Sequence, residues 1–155
     1  MIPCASSAGS LFFPKLFSHI LTIYDKILSM EKGTLKVNGV HLENHEYATV
    51  KLLLINGYNV ELIPASQVKG MRTPDISIDG VLWEIKSPTG SGKHTMKHTL
   101  QNATHQATNV IVDLRRCKMP QDNAAKELEH HFNLSKRIRR MKIITGDGRI
   151  IDFGK

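Results

Sequence analysis

The chain has 155 residues, of which 41% are hydrophobic and 23% charged, ordinary values for one soluble globular domain with a real core. No apolar run reaches membrane-spanning length, Met1 to Ser10 lacks the basic start of a secretory signal, and Cys4 and Cys117 form neither a CxxC nor a CxxH pattern. A membrane span, a disulfide framework and a zinc knuckle are thereby set aside, and a reducing, cytoplasmic site of action is expected, with no stable membrane association. The net charge of +7 lies wholly in residues 91–155, because residues 1–90 balance. A basic half of this kind favours a polyanionic partner with a phosphate backbone.

From the N-terminus, residues 1–32 read as an extension and residues 33–155 as the folded domain. Leu16, Ile20, Ile23, Ile27 and Met30 recur at helical spacing, which predicts an amphipathic helix. Met30 is also a candidate natural start. Gly33 to His41 reads as a small hairpin or loop turning at Asn38-Gly39. Leu42 to Asn56 reads as a helix capped by Asn44 and ended by Gly57, with Tyr47, Val50, Leu53 and Leu54 toward the core. Glu43 and Glu46 fall on that same stripe, where an acidic residue has a partner or a job unless it only favours the first turn. Asn59 to Ile63 reads as a strand. The loop Ala65 to Arg72 then brings Lys69 and Arg72 near the next segment.

Thr73 to Lys86 organises the rest. Asp79-Gly80 favours a two-residue hairpin turn, which sets Ile78 against Val81, Ser77 against Leu82, Ile76 against Trp83, and Asp75 against Glu84. Directly opposed residues share a face, with Cβ atoms roughly 4.5–5.5 Å apart, and alternation puts Lys86 on the same face as Glu84. Two opposed carboxylates repel, and a divalent cation offsets that better than one lysine. On an arbitrary hairpin such residues form an ordinary surface salt bridge. Here Pro74, Trp83, Ile85 and the abrupt Ser87-Pro88 stop surround them with residues that look buried, where unpaired charge is costly.

His94 to Ala107 reads as the clearest helix, with Met96, Leu100, Ala103 and Ala107 inward. His94, His98, Gln101 and His105 form another stripe. His94 and His98 have the i, i+4 spacing of a zinc site, but no third ligand is evidently placed, so a polar face offered to substrate or solvent is the better reading. Lys93, His94, Lys97 and His98 are candidate phosphate contacts, and Gln106 lies nearer the core side, within reach of the acidic site through water. Asn109 to Arg115 reads as a central apolar strand followed by Arg115, Arg116 and Lys118. Asp122 to about Arg140 reads as the last helix, its final turns carrying Lys136, Arg137, Arg139 and Arg140, followed by Lys142. A closing hairpin turns at Gly146-Asp147-Gly148.

The order helix with Glu46, strand, strand with Pro74-Asp75, strand with Glu84-Ile85-Lys86, helix, strand resembles the PD-(D/E)xK nuclease superfamily over residues 42–115. Within it, Pro74 to Gly90 and the following helix look most like the C-terminal tRNase toxin domains of contact-dependent growth inhibition proteins. The resemblance implies an α/β fold with a mixed central sheet flanked by helices, an αβββαβ restriction-endonuclease-like core. It implies a divalent metal, Mg²⁺ or another such as Mn²⁺ or Zn²⁺, held by Asp75, Glu84 and the Ile85 carbonyl. Glu46 would complete the site directly or through water, and Lys86 would orient the attacking water or stabilise developing charge. The implied substrate is RNA, tRNA foremost, with DNA second, and a cognate immunity protein is an implied partner. Two other readings stay open. One is a metal-independent RNase of the barnase/colicin type using Lys86 with His94 or His98. The other is a non-catalytic nucleic-acid-binding module.

Overall fold

The computed structural model describes residues 32–155, so the amphipathic helix expected from Leu16 and the Met30 start lie outside the described residues. In chain order the elements are β1 (Leu35–Lys36), α1 (Asn44–Ile55), β2 (Val60–Leu62), β3 (Ile76–Ile78), β4 (Val81–Lys86), α2 (Thr95–Ala103), β5 (Asn109–Asp113), a 3-10 turn (Leu114–Arg116), α3 (Gln121–Leu134), β6 (Arg140–Ile144) and β7 (Ile150–Gly154). The described residues form one mixed seven-stranded sheet in the order β1 to β7. The fold is α/β, as expected.

Three neighbouring pairs are parallel, β1 with β2, β4 with β5 and β5 with β6. A parallel pair needs a long crossover, and each of these carries one helix: α1, α2 and α3 respectively. The remaining neighbours are antiparallel and joined directly. Two apolar clusters follow. On one face, Val50 and Leu53 of α1 pack with Ile76, Trp83, Ile85 and Ile111. On the other, Met96, Leu100 and Ala103 of α2 and Ala124, Leu128 and Phe132 of α3 pack on Val110, Val112, Met141 and Ile143. All five residues of β5 are buried, as befits a strand covered on both faces. Among the described residues no helix is long and apolar enough to cross a membrane.

The β3–β4 hairpin has the expected register, Ile78 with Val81, Ser77 with Leu82 and Ile76 with Trp83. Asp79 and Gly80 both take positive φ, 48° and 81°, which the tight turn requires. Other local details differ from expectation. The Gly33–His41 segment does turn at Asn38-Gly39, but it forms no hairpin: β1 runs parallel to β2. Gly33 has a separate reason to be glycine, since a Cβ there would sit 1.8 Å from the Tyr58 carbonyl oxygen. Helix α1 is capped by Glu43, not Asn44, through reciprocal bonds between the Glu43 and Glu46 side chains and each other's backbone N–H. Tyr47 is 56% exposed, while Thr49 takes the inward position expected of it.

Helix α2 stops at Ala103 because the chain tightens: His105 N–H bonds the Asn102 carbonyl and the Thr104 hydroxyl donates to the Gln101 carbonyl. Helix α3 ends at Leu134, six residues before the expected Arg140. The Ser135 hydroxyl accepts from the N–H groups of Arg137 and Ile138, a local turn that competes with further helix. Lys155 closes the helix end by donating to the carbonyls of Phe132, Asn133 and Ser135. Lys136, Arg137 and Arg139 are therefore loop residues and Arg140 opens β6, rather than forming a basic helical turn.

Candidate active site

Strand β4 sends Glu84 and Lys86 to the face that carries α2, since Glu84 is in register with Val110 and Lys86 with Val112. Asp75 sits just before β3, and its Oδ2 accepts the Ile85 N–H at 2.7 Å. That bond continues the hairpin with a side chain where the β3 backbone pairing has ended. The N–H and C=O of one strand residue leave by the same edge, so the Ile85 carbonyl emerges beside Asp75. The Lys86 ammonium pairs with Glu84 Oε1 and stands 3.5 Å from Gln106 Oε1.

Glu84 is only 1% exposed, and its second oxygen, Oε2, has no hydrogen-bond partner. Its neighbour is the Asp75 carboxyl, which can donate nothing unless protonated. Burial, opposed by the Lys86 hydrogen bond and reinforced by Asp75, pushes the Glu84 carboxyl from 4.5 up to about 7. Burial also raises Asp75, against the pull of the Ile85 N–H and Lys86. A carboxylate pair of this kind is stable in two ways: it shares a proton, or it shares a cation.

A cleft of about 450 Å³ opens beside Asp75, lined among others by Glu46, Arg72, Pro74, Asp75 and Gln106, with Glu84 buried behind it. Glu46 thus faces the same space as Asp75, while its Oε2 is held by the Glu43 N–H at 3.0 Å. Among the described residues no three His, Cys, Asp or Glu side chains gather into a ready-made metal cluster, so Glu46 does not join the pair as a third adjacent carboxylate. Lys86 lines a different cleft, of about 470 Å³, with Ser87, Thr89, Thr95, His98, Thr99 and Asn102.

The other expected contacts spread over the surface. Lys69 and Lys93 are exposed on loops, and His94 and His98 stack edge-on along α2 with ring centroids 6.2 Å apart. Lys97, Lys136 and Arg137 line a third groove of about 350 Å³. Arg116 lines a cleft beside Glu43 and His45 at the start of α1. Arg140 pairs with Asn109, three registers from the level of Lys86 along the parallel strands, and exposed Arg139 precedes it. Arg115 is committed elsewhere, gripping Asp113 through Nε at 3.0 Å and 3.1 Å and through Nη2 at 2.5 Å.

Asp113 is the buried charge that the sequence reading passed over as part of an apolar strand. It also accepts the Arg115 N–H at 3.0 Å and the Thr49 hydroxyl at 2.6 Å. Burial pushes its carboxyl up, but the Arg115 and Thr49 bonds outweigh that and hold it below its ordinary value. The available signal was an Asp two residues before an Arg at the end of a fully buried strand.

The family described as the contact-dependent growth inhibition CdiA C-terminal domain matches residues 72–150, from just before Asp75 through the β6–β7 turn. The chain belongs to this family. The match spans Asp75, Glu84 and Lys86 but not Glu46, so the carboxylate pair and its lysine lie within the part shared with other CdiA C-terminal domains. A solved structure described as a CdiA-CT/CdiI toxin and immunity complex from Burkholderia pseudomallei is similar in fold. Its TM-score is 0.62 at 18% identity, covering 79% of this chain and 100% of that one. No curated protein matches the sequence.

Proposed function

We propose that this CdiA C-terminal domain is a toxin-type nuclease of the PD-(D/E)xK kind, a metal-dependent endonuclease that hydrolyses RNA, with tRNA as the substrate class. The observation that carries the reading is the buried Asp75–Glu84 pair with its donor-less Glu84 Oε2 beside Lys86. Two carboxylates and a backbone carbonyl make an all-oxygen donor set, which suits Mg²⁺ or Mn²⁺ better than Zn²⁺ and leaves room for several waters. Asp75, Glu84 and the Ile85 carbonyl would hold the ion, and Glu46, across the cleft, would act on it through water. When bound, such an ion polarises a phosphoryl oxygen and lowers the pKa of a coordinated water.

The remaining roles belong to the chain itself. The Lys86 ammonium, paired with Glu84 and 3.5 Å from Gln106 Oε1, would stabilise charge developing on a phosphate brought to the carboxylate pair. Arg72, which lines the cleft with Asp75, would orient that phosphate. The fold likeness to the toxin of a toxin and immunity complex supports the further proposal that this domain has an immunity partner of its own.

One observation favours a second reading: His98 and Lys86 line the same cleft, as a metal-independent RNase would require. Incubating the protein with total RNA and with plasmid DNA, in Mg²⁺ and in EDTA, separates the readings. The proposal expects RNA fragments in Mg²⁺ and none in EDTA. Cleavage unchanged by chelator selects Lys86 with His98, and no cleavage of either polymer leaves only a binding module.

A further inference from the structure

Helix α2 separates two grooves. Thr95, His98, Thr99 and Asn102 on one flank line the cleft that contains Lys86. Lys97, Leu100, Gln101 and Thr104 on the other flank line a groove shared with the end of α3 and the loop after it. His94, His98, Gln101 and His105, all exposed, run along the ridge between them. The second groove gathers cations from separate segments: Lys97 from α2, Lys136 and Arg137 from the loop that Ser135 turns out of α3. Among the described residues none of these three is in an ion pair, in contrast to Lys36, Lys86, Arg115, Lys142 and Arg149. The floor is apolar, Leu100 and Ile138, and the rim carries Leu134, 67% exposed, and the His131 ring. Burial, then the neighbouring charges of His130, Lys97 and His94, depress the His131 pKa, with Glu127 opposing. The positive charge of the groove is carried by Lys97, Lys136 and Arg137.

We infer that the α2–α3 groove is a phosphate-binding exosite for an RNA strand that crosses the α2 ridge from the Lys86 cleft. The inference rests on the nuclease reading and adds a second anchoring point to it. The two grooves lie on opposite flanks of one helix, a separation of about one helix diameter, ~10–12 Å. Unpaired cations on both sides of an exposed His/Gln ridge suit a flexible polyanion: phosphates take the charges, and bases lie on the imidazole rings and Leu134. An acidic protein would match the charge as well. Its position one helix away from the cleft that holds Lys86 favours the ligand whose own phosphate must reach Lys86.

The test uses the full chain carrying Lys86→Ala, so that binding is read without cleavage. In that background, Lys97→Ala/Lys136→Ala/Arg137→Ala is compared with a charge-matched control, Lys36→Ala/Lys51→Ala/Arg149→Ala. Affinity for tRNA is measured across a salt series, and circular dichroism confirms both folds. The exosite predicts that the groove variant binds about tenfold or more weakly at low salt, and that its log–log salt slope flattens by about 2–3 while the control keeps its slope. With Lys86 restored, the groove variant raises KM for tRNA far more than it lowers kcat. Groove and control variants with equal affinity and slope overturn the exosite, including the case in which the groove serves an acidic protein. RNA binding without any cleavage by the wild-type chain sinks the nuclease reading alone. Absence of RNA binding sinks both.

Discussion

Two buried carboxylates sit on adjacent strands of one sheet, facing opposite ways. Asp113 of β5 faces α1 and is 2% exposed; Glu84 of β4 faces α2 and is 1% exposed. Their burial is the same and their chemistry is not. Asp113 is surrounded by donors, the Thr49 hydroxyl, the Arg115 N–H and its guanidinium, and its pKa falls below the usual range despite burial. Glu84 has one ammonium for two oxygens and a second carboxyl beside it, and its pKa rises to about 7. Burial of a charge therefore does not mark a site here. Unmet coordination does: Asp113 is a satisfied brace, and Glu84 keeps an oxygen that no donor meets, which is the ground for proposing it as a cation ligand.

That contrast breaks if the two residues respond alike to mutation. The largest expected effect is on activity: Glu84→Gln or Lys86→Ala lowers the RNA cleavage rate by at least about 10²–10³-fold. Glu84→Gln leaves the melting temperature at pH 8 in EDTA equal to or above wild type, because a costly charge is gone. Asp113→Ala does the reverse. It strips Arg115 and Thr49 of their acceptor and costs about 2–4 kcal/mol of stability, read from denaturant midpoints. The cleavage rate per folded molecule stays within a few fold of wild type.

The pH dependence sharpens the comparison. Glu84 has a folded-state pKa above its ordinary 4.5, so the folded chain holds that proton more tightly than the unfolded chain does. Its contribution to stability is complete below 4.5 and is lost as pH rises through about 7. Melting temperature in EDTA should fall across that window, and Glu84→Gln should remove the Glu84 part of the slope. Asp113 has the opposite sign: its contribution is present above the ordinary 3.8 and is lost as pH falls through its depressed value. Cleavage in Mg²⁺ should rise with pH as Glu84 ionises, with a midpoint that moves lower as Mg²⁺ is raised, since ion and proton compete for one pair. The smallest effect is Thr49→Val, about 1–2 kcal/mol of stability through Asp113, with cleavage unaffected.

How far these features were legible depends on whether they are local. The Asp79-Gly80 turn and strand alternation determine the β3–β4 register, so Asp75, Glu84 and Lys86 could be brought together from fourteen residues of sequence, 73–86. Buried β5 was legible for a different local reason, a continuous apolar run suited to a strand covered on both faces. The Asp113–Arg115–Thr49 brace joins residues 64 apart, and only packing of α1 on the sheet reveals it. The end of α3 was misread because charged residues at helix-compatible spacing carry no stop signal, while one serine hydroxyl accepting two N–H groups does stop it. Tyr47 failed for a related reason: stripe counting placed it inward, but the small β-branched Thr49 takes the buried position and reaches Asp113. Arg115 looked like a phosphate ligand because its partner, two residues upstream, was read as part of an apolar run.

The claim that matters most is that the Asp75–Glu84 pair is a cation site and Asp113 is not. Titration of Mn²⁺ into metal-free protein at pH 8, followed by calorimetry with proton release measured near pH 7, tests it directly. The account predicts that wild type and Asp113→Asn bind the ion at this site with proton release, and that Glu84→Gln loses both. Binding by Glu84→Gln with wild-type affinity, or no binding by wild type at millimolar Mn²⁺, would contradict it.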